Sequence, residues 1–454
     1  MRVLLISTYE LGRQPFGLAS AAAWLRATGA QVSCVDLSRE AFDEGEARAA
    51  NLIAFYVPMH TATRLAVQLL PAIQQVNPRA HLCFFGLYAA MNETYLRRLG
   101  AGTILGGEFE EGLANLARRL EAGVAPHGTQ KEPVISLERL KFRTPDRTGM
   151  AKLERYARLV MPNGEKRVTG YTEASRGCKH LCRHCPVVPV YNGVFRVVPR
   201  DVVLEDIRQQ AAAGAQHITF GDADFFNGIG HAIPLVEALH REFPRLTYDV
   251  TIKVEHLIEQ AEHLRKLRET GCLFVTSAVE SVDDAVLEKL RKGHTRADFL
   301  EVVRRFREEG LLLQPTFVPF TPWTTLEGYG DLLEVLRANG LVENVAPIQL
   351  AIRLLIPAGS RLMELREIED LAGPYDAEAL VYPWRHPDAR VDALCEQVQQ
   401  GVHSGEKMGL TRARIFARTE AATQQAMGYE LAAPGLPELA ARATIPYLNE
   451  PWYC

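Results

Sequence analysis

Short apolar runs alternate with amphipathic stretches throughout the first 125 residues of the chain. RVLLIS, QVSCVDL, NLIAFYV and HLCFFG have the length and composition of buried strands, whereas GLASAAAWLRATG and TATRLAVQLLPAIQQV carry apolar residues at helical spacing. Because buried strands that alternate with helices form parallel sheets, residues 1–125 are predicted to form a Rossmann-like α/β domain. Its ligand edge would lie at the carboxyl ends of the strands. No GxGxxG or Walker motif follows a strand, which disfavours a dinucleotide or a nucleoside triphosphate.

A second alternation predicts a partial (β/α)6 barrel over residues 168–370. The segment 126–167 is polar and rich in Arg, Lys, Pro and Gly, which indicates a linker. Residues 371–454 are predicted to be mainly helical with an irregular tail. Barrels of this kind carry their chemistry at the carboxyl ends of the strands. The six predicted strands lie near residues 168–175, 217–221, 248–254, 273–279, 311–319 and 348–356.

The charge balance gives no electrostatic reason to expect nucleic acid or a membrane surface as the main partner. Lys and Arg number 51 and Asp and Glu 55, so the formal net charge is −4. No apolar run approaches the length of a membrane span, and MRVLLISTYE lacks the apolar core of a signal peptide. These features predict a cytoplasmic protein with a small-molecule substrate, in which the eight cysteines are not a disulfide framework.

Three cysteines, Cys178, Cys182 and Cys185, lie within the stretch RGCKHLCRHC after the first predicted barrel strand. A structural zinc site needs four ligands, usually from two separated pairs; no second pair is present, although His180 or His184 could be a fourth ligand. A redox dithiol needs only two cysteines. Three thiolates suit a [4Fe–4S] cluster with one open iron, which can bind amino and carboxylate groups. We favour the cluster, with a zinc site or a metal-free loop as the alternatives.

The CxxxCxxC spacing after a barrel strand resembles the signature of radical S-adenosylmethionine (radical SAM) enzymes, and the resemblance extends over about residues 168–360. It implies a [4Fe–4S] cluster, S-adenosylmethionine (SAM) and an external one-electron reductant of the flavodoxin or ferredoxin type. Reduction of the cluster would cleave SAM and generate a 5′-deoxyadenosyl radical that abstracts a substrate hydrogen. The family usually has an aromatic residue before the third cysteine, where this chain has His184.

The same resemblance implies roles for residues further along the barrel. The segment FGDADFF resembles the family's Gly-Gly-Glu motif, whose backbone carbonyl and carboxylate meet an amino group, and SAVES resembles the segment that faces the ribose hydroxyls. The implied binding residues are Gly221 and Asp222 for the amino group, Glu280 and Ser281 for the ribose, Lys253 and Arg353 as candidates for the methionyl carboxylate, and Ile356 beside adenine.

The first 125 residues resemble the cobalamin-binding domain that precedes the barrel in one large radical SAM class. The matching segments are LLIS, FFGLYAAMN and ILGGEFEEGLANLARRL, and the resemblance implies cobalamin contacts at Gly86, Gly106, Gly107 and Glu108. The Asp-x-His-x-x-Gly signature of an axial histidine is absent. His60 could approach the corrin, but we interpret it as a surface or capping residue. A domain that kept the fold without the ligand is the alternative.

The tail NEPWYC resembles a radical SAM subfamily whose chains end in Cys-Cys-Ala-Glu-Pro (CCAEP), or in CUAEP with selenocysteine at the second position. This resemblance predicts Cys454 as a catalytic residue, in a vicinal pair that acts as a soft-metal ligand or redox couple. An end without a role is the alternative. The native gene is expected to continue through a selenocysteine codon, and an ordinary stop codon there would count against this.

Three functions follow in order of preference. The first is cobalamin-dependent radical SAM methyl transfer to a small molecule. The second is a cobalamin-independent radical SAM reaction, for example transfer of a 3-amino-3-carboxypropyl group. The third is a zinc-binding regulatory protein. The identity of the substrate does not follow from the sequence.

Overall fold

The N-terminal domain is built on a single sheet of six strands, in a computed structural model that describes residues 1–124, 130–429 and 443–449. All neighbouring strands are parallel, in the spatial order β2-β1-β3-β4-β5-β6. The order in which successive strands are added therefore reverses between β1 and β3. In open α/β sheets a ligand crevice forms at such a point. The strands are β1 (Arg2–Ser7), β2 (Gln31–Asp36), β3 (Leu52–Tyr56), β4 (His81–Phe85), β5 (Thr103–Gly107) and β6 (Ile135–Ser136).

Helices cover both faces of this sheet, as the continuous apolar strands predict. Alternate residues of β1 point to opposite sides, so that Val3 and Leu5 join one buried cluster and Leu4 and Ile6 join the other. This arrangement confirms the α/β domain expected from the sequence. The helices are α1 (Phe16–Arg26), α2 (Glu44–Ala49), α3 (His60–Val76), α4 (Leu87–Met91), α5 (Glu93–Arg98) and α6 (Glu110–Glu121).

A second sheet contains five parallel strands that curl into an open half-barrel. Two further strands extend this sheet: β7 pairs antiparallel with β8, and β15 pairs antiparallel with β7. The overall order is β14-β13-β12-β11-β8-β7-β15. A separate antiparallel pair, β9 with β10, follows the first barrel strand. The bounds are β7 (Arg158–Val160), β8 (Lys166–Thr172), β9 (Ser175–Gly177), β10 (Phe195–Val197), β11 (His217–Phe220), β12 (Thr247–Thr251), β13 (Cys272–Glu280), β14 (Leu312–Phe317) and β15 (Tyr447–Leu448).

The sixth barrel strand expected near residues 348–356 does not form. Its first residues are a 3-10 turn, Pro347–Leu350, and only one isolated bridge, between Phe320 and Arg353, continues the sheet. The side-chain N–H of Trp384 donates to the carbonyl oxygen of Leu354. A side chain therefore occupies a backbone acceptor that a neighbouring strand would otherwise use. The prediction of a strand was therefore wrong here, although the segment lies beside the end of the sheet.

The predicted linker also differs from its expectation, because it supplies β6 to the first sheet and β7 to the second. Helices of the barrel and of the C-terminal region share one large apolar core, which confirms the helical character of that region. Among the described helices, none combines the length and apolarity needed to cross a bilayer. The helices are α7 (Val188–Tyr191), α8 (Arg200–Ala212), α9 (Ile229–Glu242), α10 (Val254–Glu259), α11 (Leu264–Glu269), α12 (Asp284–Leu290), α13 (Arg296–Glu309), α14 (Leu326–Ala338), α15 (Arg366–Leu371), α16 (Ala389–Lys407) and α17 (Arg412–Ala426).

Candidate functional site

The three clustered cysteines lie on one loop that leaves β9 at the carboxyl end of the half-barrel. Gly177 precedes the first of them with φ +72°, and a Cβ there would lie 2.4 Å from the ring of Tyr191 and 2.4 Å from the carbonyl oxygen of Val194. Only glycine combines this backbone conformation with such close packing. The tight turn delivers Cys178, Cys182 and Cys185 to the loop as free thiols.

The environment of the thiols suits a multi-iron cluster better than a single zinc ion. Burial raises the pKa of Cys178 and raises that of Cys185 to about 12, so a bound metal would have to stabilise the thiolates. A zinc ion with Zn–S bonds of about 2.3 Å holds its sulfur ligands roughly 3.8 Å apart. Within the described ranges, one group of three ligating side chains has all its ligand atoms within 4.8 Å, and it does not include these cysteines.

Buried polar atoms without hydrogen-bond partners surround the loop. They are Nδ2 of Asn227, Nδ1 of His184 and both ring nitrogens of His294. The other amide atom of Asn227, Oδ1, lies 3.4 Å from the backbone nitrogen of Lys179 within the loop. Because buried polar groups are normally paired, these orphans indicate that a polar group belongs here. The residues around the loop therefore fit a cluster with a polar ligand.

Glu280 ends β13 and joins the cysteine loop to the barrel. Its φ of +69° is unusual for a residue other than glycine, and its Oε1 lies 3.2 Å from Nε2 of His184 and 3.3 Å from Nζ of Lys292. Burial alone would raise the pKa of Glu280, but Lys292 and His184 lower it to about 2. The carboxylate faces the loop, so its expected contact with a ribose remains a prediction. His184, which stands where the family usually has an aromatic residue, therefore has Glu280 as its partner.

Lys292 is a buried cation that the sequence analysis missed. Only 4% of its side chain is exposed, and it is close enough to Cys182 and Cys185 for their charges to interact. Lys292 and His294 also line an open cavity of about 680 Å³ beside the loop. The run KGHT just after α12 could have indicated this residue, because lysine is rarely buried in a hydrophobic core.

Gly221 and Asp222 lie at the end of β11, as predicted. A Cβ on Gly221 would lie 1.8 Å from the hydroxyl of Tyr171, which explains why the position is glycine. The carboxylate of Asp222 accepts hydrogen bonds from the backbone N–H of Ala174 at 3.0 Å and from the hydroxyl of Ser175 at 2.5 Å, and burial raises its pKa to about 6. Asp222 thus holds the turn that leads to the cysteine loop.

Lys253 lies beside the loop, with Nζ 3.1 Å from Nδ1 of His180 and 2.6 Å from Oε2 of Glu255. Ser281 lies next to Glu280, but its hydroxyl accepts the backbone N–H of Asp283 in a turn. The structure therefore brings Lys253 to the loop and leaves Ser281 with a local structural partner.

Arg353 and Ile356 have other partners than those expected. The guanidinium of Arg353 pairs with Asp392 at 2.6 Å and stacks 3.7 Å from the ring centroid of Trp384, so a methionyl carboxylate is not needed to satisfy it. The side chain of Ile356 is completely buried in an apolar cluster with Leu354 and others. Packing of the C-terminal region engages both residues, and their expected contacts with SAM stay predictions.

The glycines expected to admit cobalamin serve the chain's own packing. A Cβ on Gly106 would lie 2.5 Å from Cβ of Ala90, and one on Gly107 would lie 2.2 Å from the carbonyl oxygen of Ser136. These two glycines therefore admit α4 and β6. Gly86, with φ +107°, precedes α4, where a Cβ would lie 3.2 Å from the ring of Tyr56.

A buried charge cluster joins the two domains around Arg176. Its guanidinium lies 2.6 Å from Glu110, 3.0 Å from Glu173 and 3.3 Å from Glu108. Burial raises the pKa of Glu173 to about 7 and raises that of Glu108, although Arg176 opposes both shifts. Glu108 is part of this cluster, and its expected contact with cobalamin stays a prediction. One arginine thus faces three carboxylates away from water.

A cavity of about 230 Å³ lies between the domains, directly beside this charge cluster. Gly86 and Gly107 line it from the first sheet, and Gly177 and Gly221 line it from the barrel next to the cysteine loop. Pockets for drug-sized ligands are typically about 300–1,000 Å³. The cavity accommodates a small ligand, and its volume lies below that range.

His60 contacts the C-terminal region. It is the first residue of α3, and its Nε2 lies 2.7 Å from the carbonyl oxygen of Ala379. Burial lowers the pKa of His60, which favours the neutral ring. Its interpretation as a surface or capping residue stays a prediction, because this partner lies far along the chain and not in the first turn of α3. Cys454 lies outside the described residues.

Curated relatives match less than half of the chain. The chain is 25% identical over 181 residues to the ribosomal protein uS12 methylthiotransferase RimO of Parabacteroides distasonis, which covers 37% of this chain and 40% of that protein. It is 24% identical over 200 residues to the tRNA-2-methylthio-N(6)-dimethylallyladenosine synthase of Shewanella baltica, which covers 42% of each. The chain thus spans about two fifths of the length of these relatives.

Solved structures resemble a larger part of the chain. The cobalamin-dependent S-adenosylmethionine radical enzyme OxsB, with aqua-cobalamin and S-adenosylmethionine bound, has a TM-score of 0.71 at 15% identity, covering 93% of this chain and 71% of that one. The radical S-adenosylmethionine methyltransferase TsrM of Kitasatospora setae, with cobalamin and a [4Fe–4S] cluster bound, has a TM-score of 0.59 at 18% identity, covering 75% and 70%. These similarities show a shared two-domain fold.

The match to a family covers the half-barrel and the cysteine loop. The radical SAM superfamily matches residues 172–325, which run from the end of β8 to the start of α14. This range contains the CxxxCxxC loop, the end of β11 and Glu280 with Lys292. The chain therefore contains a radical SAM domain, which implies a [4Fe–4S] cluster and SAM.

Proposed function

We propose that the protein is a radical SAM enzyme that cleaves SAM reductively and acts on a small molecule in the cavity between its two domains. The observation that carries the proposal is that the cavity lies directly beside the cysteine loop. Gly177, which precedes Cys178, and Gly221 both line the cavity. A radical formed at the loop would therefore lie close to a molecule held there. The match to the radical SAM superfamily supports the chemistry.

The cluster and SAM, when bound, supply one-electron cleavage of a carbon–sulfur bond, with the electron from a flavodoxin- or ferredoxin-type reductant. Cys178, Cys182 and Cys185 would hold the cluster. Lys292 provides a buried positive charge for the carboxylate of SAM. Asn227 offers its unpaired amide N–H groups beside Cys178.

Residues of both domains form the walls of the substrate cavity. Arg176 and its three carboxylates bridge the N-terminal domain to the barrel on one side of the cavity. Tyr56 and Phe109 add aromatic walls from the first sheet. Exclusion of water protects a reactive intermediate from side reactions.

Product analysis tests this proposal. After anaerobic reconstitution with iron and sulfide, the protein with dithionite and SAM is expected to release 5′-deoxyadenosine, measured by chromatography and mass spectrometry. S-adenosylhomocysteine would indicate methyl transfer, and methylthioadenosine would indicate aminocarboxypropyl chemistry. A colourless protein that binds zinc in place of iron and yields none of these products contradicts the proposal.

Cobalamin-dependent methyl transfer is a second candidate, favoured by the fold shared with cobalamin-bound enzymes over nine tenths of the chain. The size of the interdomain cavity does not favour it, so no step is assigned to cobalamin here. Purification from cells supplied with cobalamin distinguishes the candidates. A stoichiometric corrin spectrum, together with S-adenosylhomocysteine as a product, would support the second candidate, and a corrin-free active enzyme would exclude it.

Replacement of Lys292 by Met is expected to weaken SAM binding about 10- to 100-fold, because a hydrogen bond to a charged group contributes about 1.5–3 kcal/mol. Equilibrium binding to the reconstituted protein measures this change. The double variant Lys292→Met with Glu280→Gln also removes the carboxylate that Lys292 neutralises, and it should show at least the same loss, because Glu280 is itself a predicted ribose contact. The matched control, Lys289→Met, removes a lysine that pairs with Glu367 at the surface, and it should leave SAM affinity within about two-fold. Unchanged affinity in both Lys292 variants would contradict the assignment.

A further inference from the structure

We propose that His180, Asp224 and His256 bind a divalent transition-metal ion at a second site, separate from the cysteine ligands. His180 comes from the cysteine loop, Asp224 from the segment after β11, and His256 from α10. They are the one group of three metal-ligating side chains, among the described residues, whose ligand atoms all lie within 4.8 Å of one another. The proposal does not depend on the proposed function.

The distances match those between ligands of one ion. Oδ2 of Asp224 lies 2.7 Å from Nδ1 of His256 and 3.5 Å from Nε2 of His180. Metal–nitrogen and metal–oxygen bonds of about 2.0–2.2 Å place neighbouring ligands roughly 3 Å apart. The ring centroids of the two histidines are 4.7 Å apart, so the rings approach one point from different directions.

The three ligand atoms converge without hydrogen-bonding to one another. Nε2 of His180, Nδ1 of His256 and Oδ2 of Asp224 are all buried, and no hydrogen bond of good geometry joins any of them to a partner. Unpaired polar atoms are costly in a protein interior. A metal ion at their centre would satisfy all three at once.

Other contacts of Asp224 prepare it for this role. Its second oxygen, Oδ1, accepts the backbone N–H of Phe226 at 3.1 Å, which fixes the carboxylate and leaves Oδ2 facing the histidines. Burial raises the pKa of Asp224, but the nearby His180 and His256 lower it to about 2, so it is ionised at neutral pH. Its side chain is only 2% exposed.

A second carboxylate supports His180. Oε2 of Glu255 lies 3.5 Å from Nδ1 of His180, the ring nitrogen on the other side from Asp224. Histidine ligands commonly donate this second N–H to a carboxylate, which fixes the tautomer. Lys253 lies 2.6 Å from Glu255 and donates to Nδ1 of His180 at 3.1 Å. When Nε2 of His180 binds an ion, Nδ1 carries the proton, so that Nδ1 then donates to Glu255 and Lys253 neutralises that carboxylate.

Two imidazoles and one carboxylate are a ligand set for Zn²⁺, Fe²⁺ or Mn²⁺, with further positions left open. His180 and Lys253 also line the 680 Å³ cavity beside the loop, which gives an ion a path of entry. An ion here would fasten the cysteine loop to β11 and α10. Its open positions would accept water or an oxygen ligand from the cavity.

Zinc content tests the proposal on the reconstituted protein. The wild-type protein, equilibrated with Zn²⁺ and dialysed, is expected to retain about one zinc ion per chain in addition to a full complement of iron, both measured by plasma mass spectrometry. The variants His256→Asn and Asp224→Asn should lose at least about 100-fold in zinc affinity, since loss of outer ligands alone costs 10- to 100-fold. The matched control His263→Asn, on a neighbouring histidine outside the group, should retain the ion.

A cysteine-free variant separates this site from the cluster. With Cys178, Cys182 and Cys185 replaced by Ser, Co²⁺ should still bind and give ligand-field bands without sulfur charge-transfer bands. His180→Gln, a partly exposed position, provides a second ligand variant if His256→Asn does not fold. No zinc beyond the iron sites, or equal retention by the ligand variants and the control, would overturn the proposal.

Discussion

The Cys182→Ala variant is expected to hold no [4Fe–4S] cluster and to lose SAM cleavage entirely after reconstitution. Each of three thiolates would hold one iron, and the fourth iron would bind SAM, so a missing thiolate leaves the cluster without a complete site. Cys182 lies between its two partners in the loop and is buried. Iron analysis, visible absorbance and 5′-deoxyadenosine formation measure the loss.

Cys395→Ala is the matched control for this variant. Cys395 is also a buried, free cysteine, but it lies in α16 within the apolar core. Its replacement should cost about 1 kcal/mol or somewhat more of unfolding free energy and leave iron content unchanged. Wild-type iron content in Cys182→Ala would contradict the assignment of the loop, and iron loss in both variants would point to general instability.

Arg176→Met is expected to lower the free energy of unfolding by about 3–5 kcal/mol at pH 8, because removal of one partner leaves buried charges without compensation. Three carboxylates, Glu108, Glu110 and Glu173, would then face one another between the domains. Chemical denaturation of the full chain measures the change. Arg208→Met is the control: Arg208 pairs with Glu205 and Glu242 at the surface, where such pairs contribute little.

The loss in Arg176→Met should depend on pH. Burial already raises the pKa of Glu173 to about 7 from an ordinary value of 4.5, and removal of the arginine raises it further. A carboxyl group with a raised folded-state pKa destabilises the fold above its unfolded pKa, and this cost declines as the pH falls. The variant should therefore recover stability between pH 8 and pH 5, and a pH-independent loss would contradict a charge-based cause.

Local features of the sequence predicted the classes of both domains and the metal-binding loop. Apolar runs of strand length determine which residues are buried, and this pattern depends on neighbours within a few positions. The spacing of Cys178, Cys182 and Cys185 is likewise local, and Gly177 provides the turn before it. These predictions needed no knowledge of distant contacts.

The sixth strand and the partners of Arg353 could not be predicted in this way. The run near residues 348–356 is apolar enough for a strand, but the 3-10 turn at Pro347 and the contact with Trp384 prevent it from joining the sheet. Arg353 has the charge to bind a carboxylate, yet Asp392 supplies one from α16. The type of a residue indicates which groups it can bind, whereas the packing of the fold determines which of those groups lies next to it.

The sequence by itself determined the two α/β domains and the cysteine loop, because periodicity and spacing are properties of short segments. Only the tertiary structure decided that Arg176 meets Glu108 and Glu110, more than sixty positions away, and that His180, Asp224 and His256 converge. The physical reason is that these groups meet only when whole helices and strands pack together. Their charges then interact over a few ångströms, and such distances cannot be inferred from positions along the sequence.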